Sequence, residues 1–180
     1  ASSDRDSARR RPLCAEPLRC DAVTSSSTPP DRPWAAHAPD RLVGRGHPAG
    51  DFLEAWDWRV VESEPGRLLI DEHLPEHLKN PRGQLFGGFT PTYVDLVALF
   101  TTRAGMPRSE PWKTWLATTS MRVDYFEPIL GPRFRIESRI VKERGRTVFV
   151  ETRFLDPAGE LAVFALTVLR KVSLDRTLGD

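Results

Sequence analysis

Residues 86–105 read Phe-Gly-Gly-Phe-Thr-Pro-Thr-Tyr-Val-Asp-Leu-Val-Ala-Leu-Phe-Thr-Thr-Arg-Ala-Gly. Phe89, Tyr93, Leu96, Val97 and Phe100 recur at helical spacing, which predicts a helix over 89–104 closed by Gly105. Val94, Ala98 and Leu99 carry apolar surface most of the way round it, and a helix apolar on most sides is a buried one. Pro91 is no obstacle, because N–H groups of a first turn have no intrahelical acceptor. One carboxylate, Asp95, interrupts the apolar run on the side away from the Phe89/Tyr93/Val97/Phe100 stripe. A lone acid in such a helix is costly unless paired or used, although a surface acid is the plainer reading of it.

Outward from the helix, the flanks read as strands. Trp56–Val61 and Arg67–Asp71 precede it, joined by a Pro65-Gly66 turn. Trp115–Phe126 follows and is ended by Glu127-Pro128. In 133–143, Phe134, Ile136 and Ile140 alternate with Arg133, Arg135 and Arg139, a half-buried strand pattern. Arg144-Gly145 turns into Thr147–Leu155, and Asp156-Pro157-Ala158-Gly159 turns into Leu161–Val172. That last strand is apolar on both faces, so both should be covered, one of them by a second subunit. Two strands, a buried helix and four antiparallel strands predict an α+β domain whose twisted sheet wraps the helix.

Composition narrows the possibilities further. The 180 residues suffice for one domain with a substantial core. A formal net charge of +1 offers no electrostatic case for nucleic-acid binding. No stretch approaches the roughly 18 consecutive apolar residues of a membrane span, which predicts a soluble, cytoplasmic protein. The four histidines form no HExxH or HxH pattern, and the two cysteines, Cys14 and Cys20, read as free thiols of a tail. No metal site is expected. Residues 1–48, with Ser7-Ala8-Arg9-Arg10-Arg11-Pro12 and Ser25-Ser26-Ser27-Thr28-Pro29-Pro30, lack any apolar period, so a disordered extension is expected there. It has neither the apolar core of a secretory signal nor the acid-poor composition of a transit peptide. The expected division is a tail over 1–48, a domain over 49–173 and a short tail over 174–180, with deletion of residues 1–45 leaving stability and activity unchanged.

The glycines before the helix suggest chemistry. A helix N-terminus presents unpaired N–H groups and a positive dipole end, and glycine lets a ligand carbonyl approach the backbone. Gly87 or Gly88 can therefore donate to an oxygen on which negative charge develops. The order Asn80-x-x-Gly83-x-x-Phe86-Gly87-Gly88, then Asp95, then Thr118-x-x-Met121-Arg122-Val123-Asp124-Tyr125-Phe126-Glu127-Pro128 resembles the hot-dog-fold acyl-CoA thioesterases of the phenylacetate-degradation type, in the 4-hydroxybenzoyl-CoA thioesterase superfamily. The resemblance spans residues 52–172, about two-thirds of the chain.

It implies a hot-dog fold of about six strands around one long helix, and hydrolysis of an acyl-CoA thioester. Asp95 would attack the thioester or activate water, and the Gly87 N–H would stabilise the oxyanion. Asn80 would help hold the nucleophile or water, and Thr118 would orient that water. Asn80 also reads as a turn former before Pro81, and Thr118 as an ordinary strand threonine. Gly88 and Phe86 would line the substrate pocket, Phe86 standing where many such relatives carry histidine. Arg144, Gly145, Arg146 and Thr147 would meet the CoA nucleotide, though charged residues at a hairpin are often simply solvated. CoA is part of the substrate, so no separate cofactor is expected. The resemblance also implies a homo-oligomer, a dimer or dimer of dimers, with the acid of one chain beside the glycine donor of the other. Two other classes stay open, a hot-dog hydratase or dehydratase and a non-catalytic acyl-CoA-binding sensor. A hydratase usually wants a histidine with an acidic partner, and no histidine lies after His77.

Overall fold

The computed structural model of the protein describes residues 40–106 and 114–172. Among them are two helices, α1 (Pro48–Phe52) and α2 (Thr90–Thr101), and six strands. The strands are β1 (Arg59–Glu64), β2 (Arg67–His73), β3 (Trp115–Tyr125), β4 (Arg133–Arg144), β5 (Thr147–Leu155) and β6 (Leu161–Val172). They form one antiparallel sheet in the order β1-β2-β4-β5-β6-β3. Helix α2 contacts β2 through β6, so the sheet curls around it as the apolar surface of its sequence demands. No helix of the described residues is long and apolar enough to cross a membrane.

Tyr93 is the centre of the packing. It stacks on Trp58 at 5.3 Å and meets Phe134 and Phe154 edge-on at 5.9 and 6.2 Å. The C-terminal end of α2 is tied to the sheet by hydroxyls as well as by the apolar contacts of Ala98 and Leu99. Thr101 Oγ1 lies 2.8 Å from both the Val97 carbonyl and Ser138 Oγ, and Ser138 reaches Thr152 at 3.2 Å. All three hydroxyls are buried, so each satisfies another where water cannot. Gly105 follows at φ +77, and a Cβ there would stand 2.6 Å from the Pro65 ring and backbone nitrogen. The helix exit and the β1–β2 turn can meet only at a glycine.

Three expectations change. The domain begins by residue 40, not 49: Leu42 and Val43 are buried in the core, and the Asp40 carbonyl accepts from Val60 N at 2.7 Å. Two adjacent apolar residues are too few to show a period, which is why this segment reads as tail. Deleting residues 1–45 would therefore remove core side chains, while residues 1–39, the cysteines and 173–180 lie outside the described residues. Trp56 opens no strand; it sits in a 3-10 turn, Ala55–Asp57, that follows Glu54 at φ +53, and Arg45 covers its ring at 3.7 Å. Finally, the outer face of β6 is not bare. Phe164, Leu166 and Val168 are half-buried, with Arg153 and Glu151 of β5 paired beside Phe164 and Leu166. The aliphatic stems of long charged side chains cover apolar surface of this kind.

Alternation in β2 places Leu68, Ile70 and Glu72 on the core face. Glu72 is 1% exposed, and neither of its carboxylate oxygens has a hydrogen-bond partner among the described residues. Burial pushes its carboxyl well above the ordinary carboxylate range. The folded chain then keeps a proton that the unfolded chain releases as pH rises past that range. Stability from this group is full below the unfolded value and declines on raising the pH, until the folded carboxyl itself ionises. One proton held in this way gives a slope approaching about 1.4 kcal/mol per pH unit. Glu72→Gln keeps the shape and removes the proton. Urea unfolding between about pH 5 and 8 should show this decline in the parent chain and a flatter profile in the variant.

Candidate active site

Among the described residues, strand β3 is an outer edge of the sheet, paired to β6 on one side only. Two of its side chains reach the helix and the loop before it. Thr118 Oγ1 donates to Asp95 Oδ1 at 2.5 Å, and the Tyr125 hydroxyl donates to the Gly87 carbonyl at 2.8 Å. The residues are seven apart, so regular alternation would turn them to opposite faces. A β-bulge prevents this. Thr118 is opposite Leu169 and Ser120 opposite Val168, leaving Thr119 as the extra residue, its hydroxyl on the Val168 carbonyl at 3.0 Å. From Met121 onward the inward positions become Met121, Val123 and Tyr125, opposite Thr167, Ala165 and Val163. A one-residue shift of this kind exchanges the two faces of a strand.

Asp95 lies in the middle of α2 and is half-buried, with its neighbours Val94 and Leu96 fully packed. It faces the edge strand through Thr118, which is exposed.

Gly87 and Gly88 stand just outside the helix in two successive turns. Phe89 N donates to the Phe86 carbonyl at 2.9 Å, and Thr90 N to the Gly87 carbonyl at 3.3 Å. Both glycines are exposed, and among the described residues neither of their own N–H groups has a hydrogen-bond partner. The Phe86 ring packs over Gly88, where a Cβ would stand 2.7 Å from it, and meets Phe89 at 5.3 Å. Phe52 of α1 meets the other side of Phe89, also at 5.3 Å, so an aromatic wall rises beside the two glycines.

The other expected residues divide. Asn80 is taken up by its own loop: its side-chain oxygen accepts from Arg82 N and Gln84 N at 2.8 and 3.2 Å, and its amide donates to Gln84 at 3.1 Å. That is the turn-forming role that an asparagine before proline performs, and it leaves no contact to Asp95 within the chain. Arg144 and Arg146 are exposed, with Gly145 at φ +58 between them, and Arg146 Nε donates to the Lys171 carbonyl at 2.9 Å. The hairpin does share an end of the sheet with the acid. Arg144 pairs with Thr147, Thr147 with Arg170 and Arg170 with Ala117, which adjoins Thr118. Thr147 is thus two strands, about 10 Å, from β3.

The sequence reading assigned Tyr125 no role. It stood within the quoted strand motif, but only the bulge turns it inward. A histidine with acidic partners does exist: His73 lies 2.9 Å from Glu54 and 3.1 Å from Asp57. It follows Glu72 in β2, and alternation directs it away from the core face on which Glu72 meets α2.

Residues 82–163 match the thioesterase superfamily. Over 121 residues the chain is 24% identical to a Saccharolobus solfataricus protein named as an esterase, covering 66% of this chain and 81% of that one. Among solved structures it is similar to a thioesterase family protein of Silicibacter pomeroyi, with 18% identity, 71% and 90% of the two chains covered and a TM-score of 0.59. It is also similar to a hypothetical thioesterase protein of Streptococcus pneumoniae solved with coenzyme A (13%, 65% and 87%, TM-score 0.57). A Streptococcus mutans protein bound to acetyl CoA is a further likeness (16%, 65% and 90%, TM-score 0.54). The match to the thioesterase superfamily covers the segment 82–163, and the likeness to these solved structures shows that the domain around it has the hot-dog fold.

Proposed function

We propose that the protein hydrolyses acyl-CoA thioesters, with Asp95 as the acid that attacks the thioester or activates water. The observation that carries this reading is the Thr118–Asp95 hydrogen bond, which holds a half-buried carboxylate at an open sheet edge. A hydroxyl donor aims such a carboxylate, as a nucleophile or general base requires. The Gly87 and Gly88 N–H groups supply the complementary half, donors for the oxyanion. The coenzyme A and acetyl CoA bound to two structural relatives favour the same ligand class here, and Arg144 and Arg146 lie at the acid's end of the sheet to meet its phosphates.

Both halves belong to one active unit only if two chains pair. Gly87 precedes Asp95 by eight residues, so along the helix they are roughly 12 Å apart, too far to act on one carbon. Strand β3 is eleven residues long and, among the described residues, unpaired on its outer side, an invitation to antiparallel pairing with a second copy. A two-fold axis near Met121 and Arg122 would lay Tyr125 of one copy beside Thr118 of the other. Gly87 of one chain then faces Asp95 of the other.

A hydratase reading loses ground because His73, which lies between Glu54 and Asp57, points away from this site. Thiol release should be measured from short, long and aryl acyl-CoAs with purified protein. Turnover of one class is expected; binding of acyl-CoA with no thiol released would overturn hydrolysis in favour of a sensor.

A further inference from the structure

We propose that Tyr125 is a positioning residue for the oxyanion donors, fixing the direction in which the Gly88 N–H points. This rests on the hydrolase reading for its consequence, but its geometry stands alone. In a planar trans peptide the carbonyl and the following N–H point in opposite directions. The Phe86 carbonyl is held by Phe89 N at 2.9 Å, which fixes the peptide that carries the Gly87 N–H. The next peptide, Gly87–Gly88, is less well held from within the chain's own turn, since Thr90 N reaches the Gly87 carbonyl only at 3.3 Å. Two adjacent glycines have no Cβ to oppose a rotation of the peptide between them. The Tyr125 hydroxyl closes that freedom from across the fold, at 2.8 Å from the same carbonyl. The ring also lies alongside, 3.6 Å from where a Gly87 Cβ would stand. With the Gly87 carbonyl drawn toward Tyr125, the Gly88 N–H is turned the opposite way and left open, beside the Phe86 ring.

Tyr125→Phe removes one oxygen and keeps the ring. A net hydrogen bond of ordinary strength changes the ratio of aligned to turned peptide by about three- to tenfold. A donor that matters only when the oxyanion forms should lower kcat by up to that factor and leave KM unchanged. Backbone order gives a second readout that needs no turnover. The Gly88 N–H residual dipolar coupling in ¹⁵N-labelled protein should change in Tyr125→Phe, while Tm and the couplings of α2 stay as they were. Wild-type coupling at Gly88 in the variant would overturn the proposal, whatever the enzyme does. An altered coupling together with unchanged kcat on a turned-over substrate would overturn its catalytic consequence. A protein inactive on every acyl-CoA but with an altered coupling would keep the positioning role and sink the hydrolase reading alone.

Discussion

Asp95→Asn is expected to lower kcat by at least roughly 10²–10⁴, the range that general base work alone supplies. Asparagine keeps the size and can still accept the Thr118 hydroxyl, so the helix and its contact to β3 survive. What is lost is the negative charge, which both candidate mechanisms need. Thiol release under saturating substrate measures kcat, and thermal unfolding of the same sample shows whether the fold persists. A variant with parent-like turnover would remove Asp95 from the chemistry. A variant that is inactive and also melts early would trace the loss to the fold instead. Burst kinetics in the parent would then separate the roles: an early stoichiometric release of thiol marks an acyl-enzyme on Asp95, and its absence favours activated water.

The second large effect concerns pairing. A chain carrying Gly87→Val places bulk where the thioester oxygen must approach and should lose about 10²–10³ in rate, the worth of an oxyanion donor. Alone, neither this variant nor Asp95→Asn should turn over. Mixed after partial unfolding and refolding, they should regain activity. At one-to-one mixing about half the dimers are heterodimers, each with one site that has both an intact acid and an intact donor, so about a quarter of parent activity should return. If each site lay within one chain, no mixture could repair it. Sedimentation at the assay concentration gives an independent check, and an active monomer would end the shared-site reading.

Much of the architecture was legible because apolar periods in this chain are long. The stripe in α2 and the alternation in β4 and β5 extend over eight or more residues, enough for a period to dominate. The acid was legible for the opposite reason, being the one charged residue within α2. Short or irregular features were not. Leu42 and Val43 are a pair in a Pro- and Arg-rich context, and only their burial identifies them as core. Glutamate is by type a surface residue, although the place of Glu72 after Leu68 and Ile70 puts it on the inner face. The resemblance implied a role for Asn80 beside the acid, but within the chain the backbone donors of Arg82 and Gln84 engage its side-chain oxygen. Thr119 could not be read as a bulge, because an extra residue leaves no mark in a run of Thr, Thr and Ser.

That extra residue makes parity a property of the site. Seven steps separate Thr118 from Tyr125, an odd number, and the bulge makes it count as even. Insertions or deletions in this stretch of edge strand can therefore arise harmlessly only in pairs. A single-residue change would hide the partner of the carboxylate or the partner of the glycines, and placed before Met121 it would also turn Met121 and Val123 off the core. Any relative that lacks the bulge must differ by one residue in this interval to orient the same two side chains. The length of a short strand segment, rather than the identity of its residues, is then what keeps the two halves of the site on speaking terms.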